Sequence, residues 1–252
     1  MGKKGKTGRL KRNPAPKFWP IHRKEFTWVV KPSSGPHTLE NSLSLTLVLR
    51  DILGLAKTKK EASMILAQGK LSVDGKIRKR ADFPVGLMDV IAMPDANQYF
   101  RVTPSPKGLV LAKISKSEAS FKLVRVENKN TVEGAVQIAL HDGSNILVKV
   151  ADPKNPVEVS YDTYDILKIS LPEKVVAAKM PTKVGNLAII TGGKNIGRKG
   201  KIVEIEKTEA KKRKNALVII EDETSVKYQT ILRFVFSTGE THPLITEAPA
   251  NV

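Results

Sequence analysis

The sequence predicts a multidomain α+β chain: a basic extended N-terminal arm, a module of two helices plus a β-hairpin, a small β-rich central domain, and a last β module folded around a glycine-rich turn. Three observations predict it. No acidic residue precedes Glu25 while basic ones recur; helical periodicity between 42 and 92 runs into an Asp74-Gly75 turn; and beyond Ile91 apolar residues come as short runs between turn signals. The divisions implied are 1–41 for the arm, 42–92 and 93–178 for the next two units, 179–243 for the last, and 244–252 for a tail.

The 252 residues carry 43 Lys+Arg against 25 Asp+Glu, a formal charge of +18 and a pI near 9.9. Such an excess asks first for nucleic acid and second for an anionic membrane. No apolar run approaches the ~20 residues that span a bilayer, and the arm lacks the apolar core of a signal peptide, so an intracellular protein with no membrane partner is expected. Zero cysteines exclude disulfides, thiolate nucleophiles and Cys-containing metal sites, and His22, His37, His141 and His242 are too scattered for a local ligand cluster. No metal, cofactor or small-molecule substrate is expected.

In the arm, Lys3, Lys4, Lys6, Arg9, Lys11, Arg12, Lys17, Arg23 and Lys24 accompany several Gly and Pro residues. Too few apolar side chains are present to offset the entropy of ordering it alone, so order is expected only against a partner. Phe18, Trp19 and Ile21 lie among the charges, which suits a partner offering phosphates and stacking surfaces, as folded RNA does. The plainer reading is a solvated terminus.

From Ser42, Leu45, Leu49, Ile52 and Leu53 recur at helical spacing until Gly54, predicting helix one. Thr58 and Glu61 form a capping box that opens helix two, whose buried stripe is Ala62, Ile65 and Leu66 and whose end is Gly69. Asp74-Gly75 suits a type I′ hairpin. Lys57, Lys59 and Lys60, with Lys70, Lys76, Arg78, Lys79 and Arg80, would line one basic surface.

These residues resemble a known family. Arg50 to Ile91, through Lys57-Thr58-Lys59-Lys60-Glu61-Ala62, Gln68-Gly69-Lys70, Val73-Asp74-Gly75-Lys76 and Val85-Gly86-Leu87-Met88-Asp89-Val90-Ile91, resembles the alpha-L RNA-binding module. Ala15-Pro16-Lys17-Phe18-Trp19-Pro20-Ile21 and Gly35-Pro36-His37-Thr38-Leu39-Glu40 resemble the arm of the e-type small-subunit ribosomal protein four of archaea and eukaryotes. The resemblance implies ribosomal RNA contacts at Arg50, Lys57, Lys59, Lys60, Lys70, Lys76 and Arg78. Taken singly, an exposed lysine on a helix or hairpin is as readily a solvated face.

Beyond Ile91, strands are expected around Tyr99–Val102, Leu109–Leu111, Phe121–Val124 and Ala135–Ile138, with turns at Asn128-Lys129-Asn130 and His141-Asp142-Gly143-Ser144. Tyr161, Asp162, Tyr164 and Asp165 read as a loop before strand Ile166–Ile169, in preference to acid-base machinery. No RNA contacts are assigned to this region.

In the last unit, strands Leu187–Thr191 and Lys201–Ile205 bracket a glycine-rich turn from Gly192 to Gly200. A nucleotide-binding loop would need Gly-Lys-Ser/Thr and then a helix; here a β-branched strand follows, so nucleotide hydrolysis is disfavoured. Gly185, Gly192, Gly197 and Gly200 resemble the KOW motif of ribosomal proteins and elongation factors, which implies an SH3-like β-barrel. Glycine would let the backbone approach a sugar-phosphate chain, with Lys194, Arg198, Lys199 and Lys201 supplying charge. Lys211, Lys212, Arg213 and Lys214 are expected at a hairpin tip, as RNA contacts, an import signal or a solvated loop. Tyr228 to Phe236 would close the unit, and no role is read for the tail.

The leading reading is a non-enzymatic structural protein of the small ribosomal subunit, cytoplasmic and ribosome-bound, contacting ribosomal RNA and neighbouring small-subunit proteins. The brevity of chain and arm leans toward an archaeal source. An RNA-modifying enzyme using the alpha-L module as its RNA handle, and a KOW-type elongation factor, are the alternatives.

Overall fold

The computed structural model describes residues 8–150, 161–206 and 213–246. It is mostly antiparallel β-sheet with few helices. Contrary to the expectation of an arm ordered only by a partner, residues 8–41 fold back on the first module. Strands β1 (Leu10–Lys11) and β2 (Trp28–Val29) form a small hairpin, and Trp19 is only 3% exposed, its indole N–H donating to the Ser42 carbonyl at 2.9 Å. A 23-residue separation between donor and acceptor makes this a tertiary tie that local composition does not reveal.

After strand β3 (Ser42–Ser44), helix one is shorter and wider in its winding than expected: α1 (Leu45–Leu47) passes into a π-helical segment, Val48–Ile52. Helix α2 (Lys59–Ala67) follows the sequence reading. Thr58 Oγ1 accepts from the Glu61 N–H at 3.2 Å, while Glu61 reaches back to the Lys57 N–H at 2.8 Å, one residue beyond the usual capping-box donor. Ala62 and Leu66 are fully buried. Strands β4 (Ser72–Val73) and β5 (Lys76–Ile77) flank Asp74 and Gly75, whose φ of 50° and 74° fit the type I′ turn.

The first module's sheet crosses the expected division at 92. Strands β6 (Pro84–Gly86) and β7 (Val90–Met93) precede β8 (Gln98–Ser105) and β9 (Gly108–Lys113), and the latter two extend one sheet in the order β5-β4-β7-β8-β9. The reason is local: Pro94–Ala96 forms a single 3₁₀ turn, and such a short connection returns the chain antiparallel beside β7.

The central sheet holds β10 (Phe121–Val132), β11 (Ala135–Leu140), β12 (Asn145–Lys149), β13 (Ile166–Ser170) and β14 (Val176–Met180), in the order β12-β11-β10-β13-β14. Asn128-Lys129-Asn130 lies inside β10 and is not a turn; the reversal comes at Glu133 and Gly134, both at positive φ. Residues 161–165 do form a loop before β13, with Asp165 accepting from the Asp162 N–H at 3.0 Å.

The last sheet runs β18-β17-β16-β15-β19, from β15 (Leu187–Ile190), β16 (Lys199–Glu206), β17 (Leu217–Glu221), β18 (Lys227–Ile231) and β19 (Val235–Gly239). The expected single closing strand is therefore two, parted by a 3₁₀ turn at Leu232–Phe234. The tail joins the fold as far as it is described: Ile245 is buried, and Thr246 donates from N–H and Oγ1 to the Glu118 carboxylate at 2.7 and 2.6 Å.

Candidate nucleic-acid interface

Of the expected contact residues, Arg9, Lys11, Lys17, Lys24, Lys57, Lys59, Lys60, Lys70, Lys76, Lys194, Arg198, Lys201 and Arg213 are exposed. Arg23, Arg50, Arg78 and Lys199 are half-buried. Lys3, Lys4, Lys6, Lys211 and Lys212 lie outside the described residues.

Trp19 and Arg12 are buried, which corrects the reading of both as RNA contacts. Arg12 donates to the carbonyls of His22 at 2.6 Å and Trp28 at 3.2 Å, bracing the arm hairpin. Arg23 has a similar duty, donating to the carbonyls of Arg12, Asn13, Ala15 and Pro16 between 2.9 and 3.1 Å. Carbonyls in a non-repetitive segment have no ladder partner, and a guanidinium supplies five donors in a planar fork.

A groove of about 650 Å³ separates the arm hairpin from the first module, lined by Arg9, Lys31, Lys59, Arg80, Asp82 and Trp28 among others. Lys31 and Trp28 carried no weight in the sequence reading. The signal for Trp28 was present in its alternation with Val29: Val29 is buried in the core, so its neighbour in a strand must point outward. Phe26 is also exposed, under the Arg12 guanidinium at 5.0 Å from the ring centre.

In the last unit acidic residues lie beside some of the expected basic contacts. Lys199 and Lys201 share a depression with Glu221, Asp222 and Glu223, so opposite charges offset each other there. Arg198 is stacked on Tyr228 at 4.4 Å and bonded to its hydroxyl at 2.5 Å. The glycines serve packing within the protein: a Cβ at Gly192 would meet the Phe234 ring at 2.6 Å, at Gly197 the Pro106 nitrogen at 2.5 Å, and at Gly200 the Glu221 carbonyl at 2.1 Å. The turn is thus seated on Ser105 and Pro106 of the first module's sheet.

A buried charge cluster ties the modules that carry these surfaces. Lys122 on β10 reaches Asp74 at 2.8 Å, Asp89 at 2.5 Å and Asp142 at 3.2 Å. Burial alone would lower the Lys122 pKa, but these carboxylates outweigh it and hold the ammonium well above the usual lysine range. Burial would likewise raise Asp89 and Asp142, yet Lys122 holds both below the usual carboxylate range. Asp74 goes the other way, raised by burial and by Asp89 beside it. Asp89 also accepts from the Gly86 N–H and hydrogen-bonds His37, each at 2.9 Å. At the junction of the central sheet with the last unit, Arg125 donates to the carbonyls of Arg233 at 2.8 Å and Val235 at 3.0 Å.

His141 faces this cluster, accepting from the Arg125 N–H at 3.1 Å while Nε2 lies 3.2 Å from the Leu87 carbonyl, a pattern that suits the neutral ring. Burial, with Lys122 and Arg125 nearby, pushes its pKa down to about 3. The unfolded chain therefore binds this proton more readily, so the contribution is complete above the ordinary histidine range and is lost as pH falls from there toward the folded value. A fully expressed shift would remove ~2 kcal/mol between about pH 7 and 5, and residual solvent access to the ring trims this to ~1 kcal/mol. Urea midpoints should fall accordingly over that interval; a flat profile would contradict it.

Residues 4–40 match the RS4NT (NUC023) domain, 47–91 the S4 domain, 96–176 the ribosomal family S4e and 184–221 the KOW motif. The small ribosomal subunit protein eS4 of Desulfurococcus amylolyticus is 49% identical over 247 residues, covering 97% of each chain. That of Staphylothermus marinus is likewise 49% identical, with 97% of each chain covered. Among solved structures, the crystal structure of the 30S ribosomal protein S4e from Thermoplasma acidophilum superposes with a TM-score of 0.66 at 30% identity, covering 81% of this chain and 99% of that one.

Proposed function

This chain belongs to the archaeal S4e family of ribosomal proteins, and from that premise we propose that it binds ribosomal RNA chiefly through the arm and the first module. It is a structural constituent of the small ribosomal subunit that binds ribosomal RNA, and not an enzyme. The observation that carries the assignment is a near-full-length match, at 49% identity, to small-subunit proteins, which leaves neither an RNA-modifying enzyme nor an elongation factor favoured.

Finer points are our reading. Exposed Lys57, Lys59, Lys60, Lys70 and Lys76 support a phosphate-facing surface on the first module, joined by Arg9, Lys11, Lys17 and Lys24 from the arm. Arg50 and Arg78 contribute less, since Arg50 is paired with Asp51 at 2.8 Å and Arg78 lies over Phe83 at 4.4 Å. Lys194, Arg198 and Arg213 form a secondary contact. We read the modules as 1–41, 42–92, 93–178, 179–243 and 244–252, with residues 98–113 joining the first module's sheet. The five strands and the 3₁₀ turn before β19 support an SH3-like barrel for the KOW unit. Neighbouring small-subunit proteins and a cytoplasmic ribosome complete the reading.

Two measurements test it. In sucrose gradients of native lysate the protein should comigrate with the small subunit in a salt-resistant manner; a free or polymerase-associated peak would count against it. For the isolated protein on small-subunit ribosomal RNA, log affinity should fall with log salt by about 0.9 per phosphate neutralised on duplex, and a slope equivalent to fewer than about three phosphates would overturn the multi-surface reading.

A further inference from the structure

We propose that the groove between the arm hairpin and the first module seats an unpaired RNA nucleotide, with its base stacked on Trp28 and its flanking phosphates held by Arg9, Lys31, Lys59 and Arg80. This rests on the RNA-binding reading above and names the part of the RNA that this surface takes.

The chain has two tryptophans and treats them oppositely: Trp19 is 3% exposed and Trp28 is 52% exposed. A lone exposed aromatic is ordinary. This one is held in place and surrounded by charge. Val29 anchors the strand in the core, and the pairing Lys11↔Trp28 sets the ring beside a lysine whose ammonium lies 5.9 Å from its centre. The indole is thereby turned outward without any rearrangement, which lowers the entropy cost of stacking on it.

Four cations line the groove against one carboxylate, Asp82. That carboxylate forks onto Arg80 at 2.8 and 3.0 Å, which orients the guanidinium. Lys59 stands exposed on the first turn of α2. A duplex presents phosphates but hides its base faces in the stack, whereas an unpaired nucleotide offers both to a platform of this kind. The charge excess and the planar ring together select that partner over a protein surface.

The test uses the full-length protein, an oligoadenylate of about ten nucleotides and a fully paired RNA duplex of similar charge. Oligoadenylate should quench tryptophan emission in the wild type but not in Trp28→Phe, where only buried Trp19 still emits. Trp28→Leu keeps an apolar side chain without a π face and should weaken oligoadenylate binding roughly ten-fold, with duplex affinity and salt slope nearly unchanged. Trp28→Phe should recover most of the loss. Equal loss on both RNAs, or no loss on either, would overturn the proposal. Wild-type protein that fails to bind small-subunit ribosomal RNA would instead overturn the reading on which it rests.

Discussion

Lys122→Met should destabilise the protein by about 3–5 kcal/mol at neutral pH, because it leaves buried carboxylates with no cation. The side chain is 2% exposed and touches Asp74, Asp89 and Asp142, which come from the hairpin turn of the first module, the loop before β7 and the turn after β11. Methionine fills similar space, so the loss is mainly electrostatic. The pH dependence separates this from a packing defect. In the wild type, Asp89 and Asp142 sit below their ordinary range, so their contribution is complete above the ordinary carboxylate range and is lost as pH falls from there toward those lowered values. In Lys122→Met the same groups are buried without a partner, so their pKa values rise and protonation relieves them. The stability gap should therefore be widest near pH 7 and narrow toward about pH 4. Chemical denaturation at several pH values measures it, and a gap independent of pH would refute the account.

Trp19→Ala should cost about 3–5 kcal/mol, combining loss of a large buried ring with a residual cavity. It also strips the Ser42 carbonyl of its donor, a further penalty of about 1–3 kcal/mol if water cannot enter. Because Trp19 is where the arm enters the main core, the arm should detach first. Trypsin should then cleave after Arg23 or Lys24 far faster than in the wild type, and the melting temperature should fall by about 10 °C. Trp19→Phe keeps the ring but not the N–H, and should lose part of the stability while retaining RNA affinity. A selective loss of RNA affinity in that variant, at unchanged stability, would restore Trp19 to the RNA-facing surface.

Much of the local structure was legible. Thr58 and Glu61 announced the start of α2, Gly69 its end, and Asp74-Gly75 the hairpin, because capping and turn conformations depend on side chains only a few residues away. Helix one was only partly legible. Its apolar spacing signals a buried helical face but does not separate α from π hydrogen bonding, and Ser42–Ser44 was drawn into a strand by pairing with Pro84–Gly86. Asn128 to Asn130 were misread as a turn because their composition suits one, while the partner strand β11 kept them extended.

The contact surface divides along the same line. That the protein is strongly basic and lacks thiol chemistry follows from residue identity alone, and the RNA-binding module follows from the resemblance its motifs carry. Which basic or aromatic side chains remain available does not. Trp19 and Trp28 both sit in a charged, proline-bearing stretch, and only docking onto Ser42 decides that the first is core and the second is outside. Arg12 and Arg23 look like phosphate contacts until the carbonyls they bind are known. Lys122 draws no notice in the chain, since its carboxylate partners are 48, 33 and 20 residues away. Charge and propensity are properties of each residue and its near neighbours, whereas burial and ion pairing are set by what distant segments bring to the same place, and that the tertiary structure alone decides.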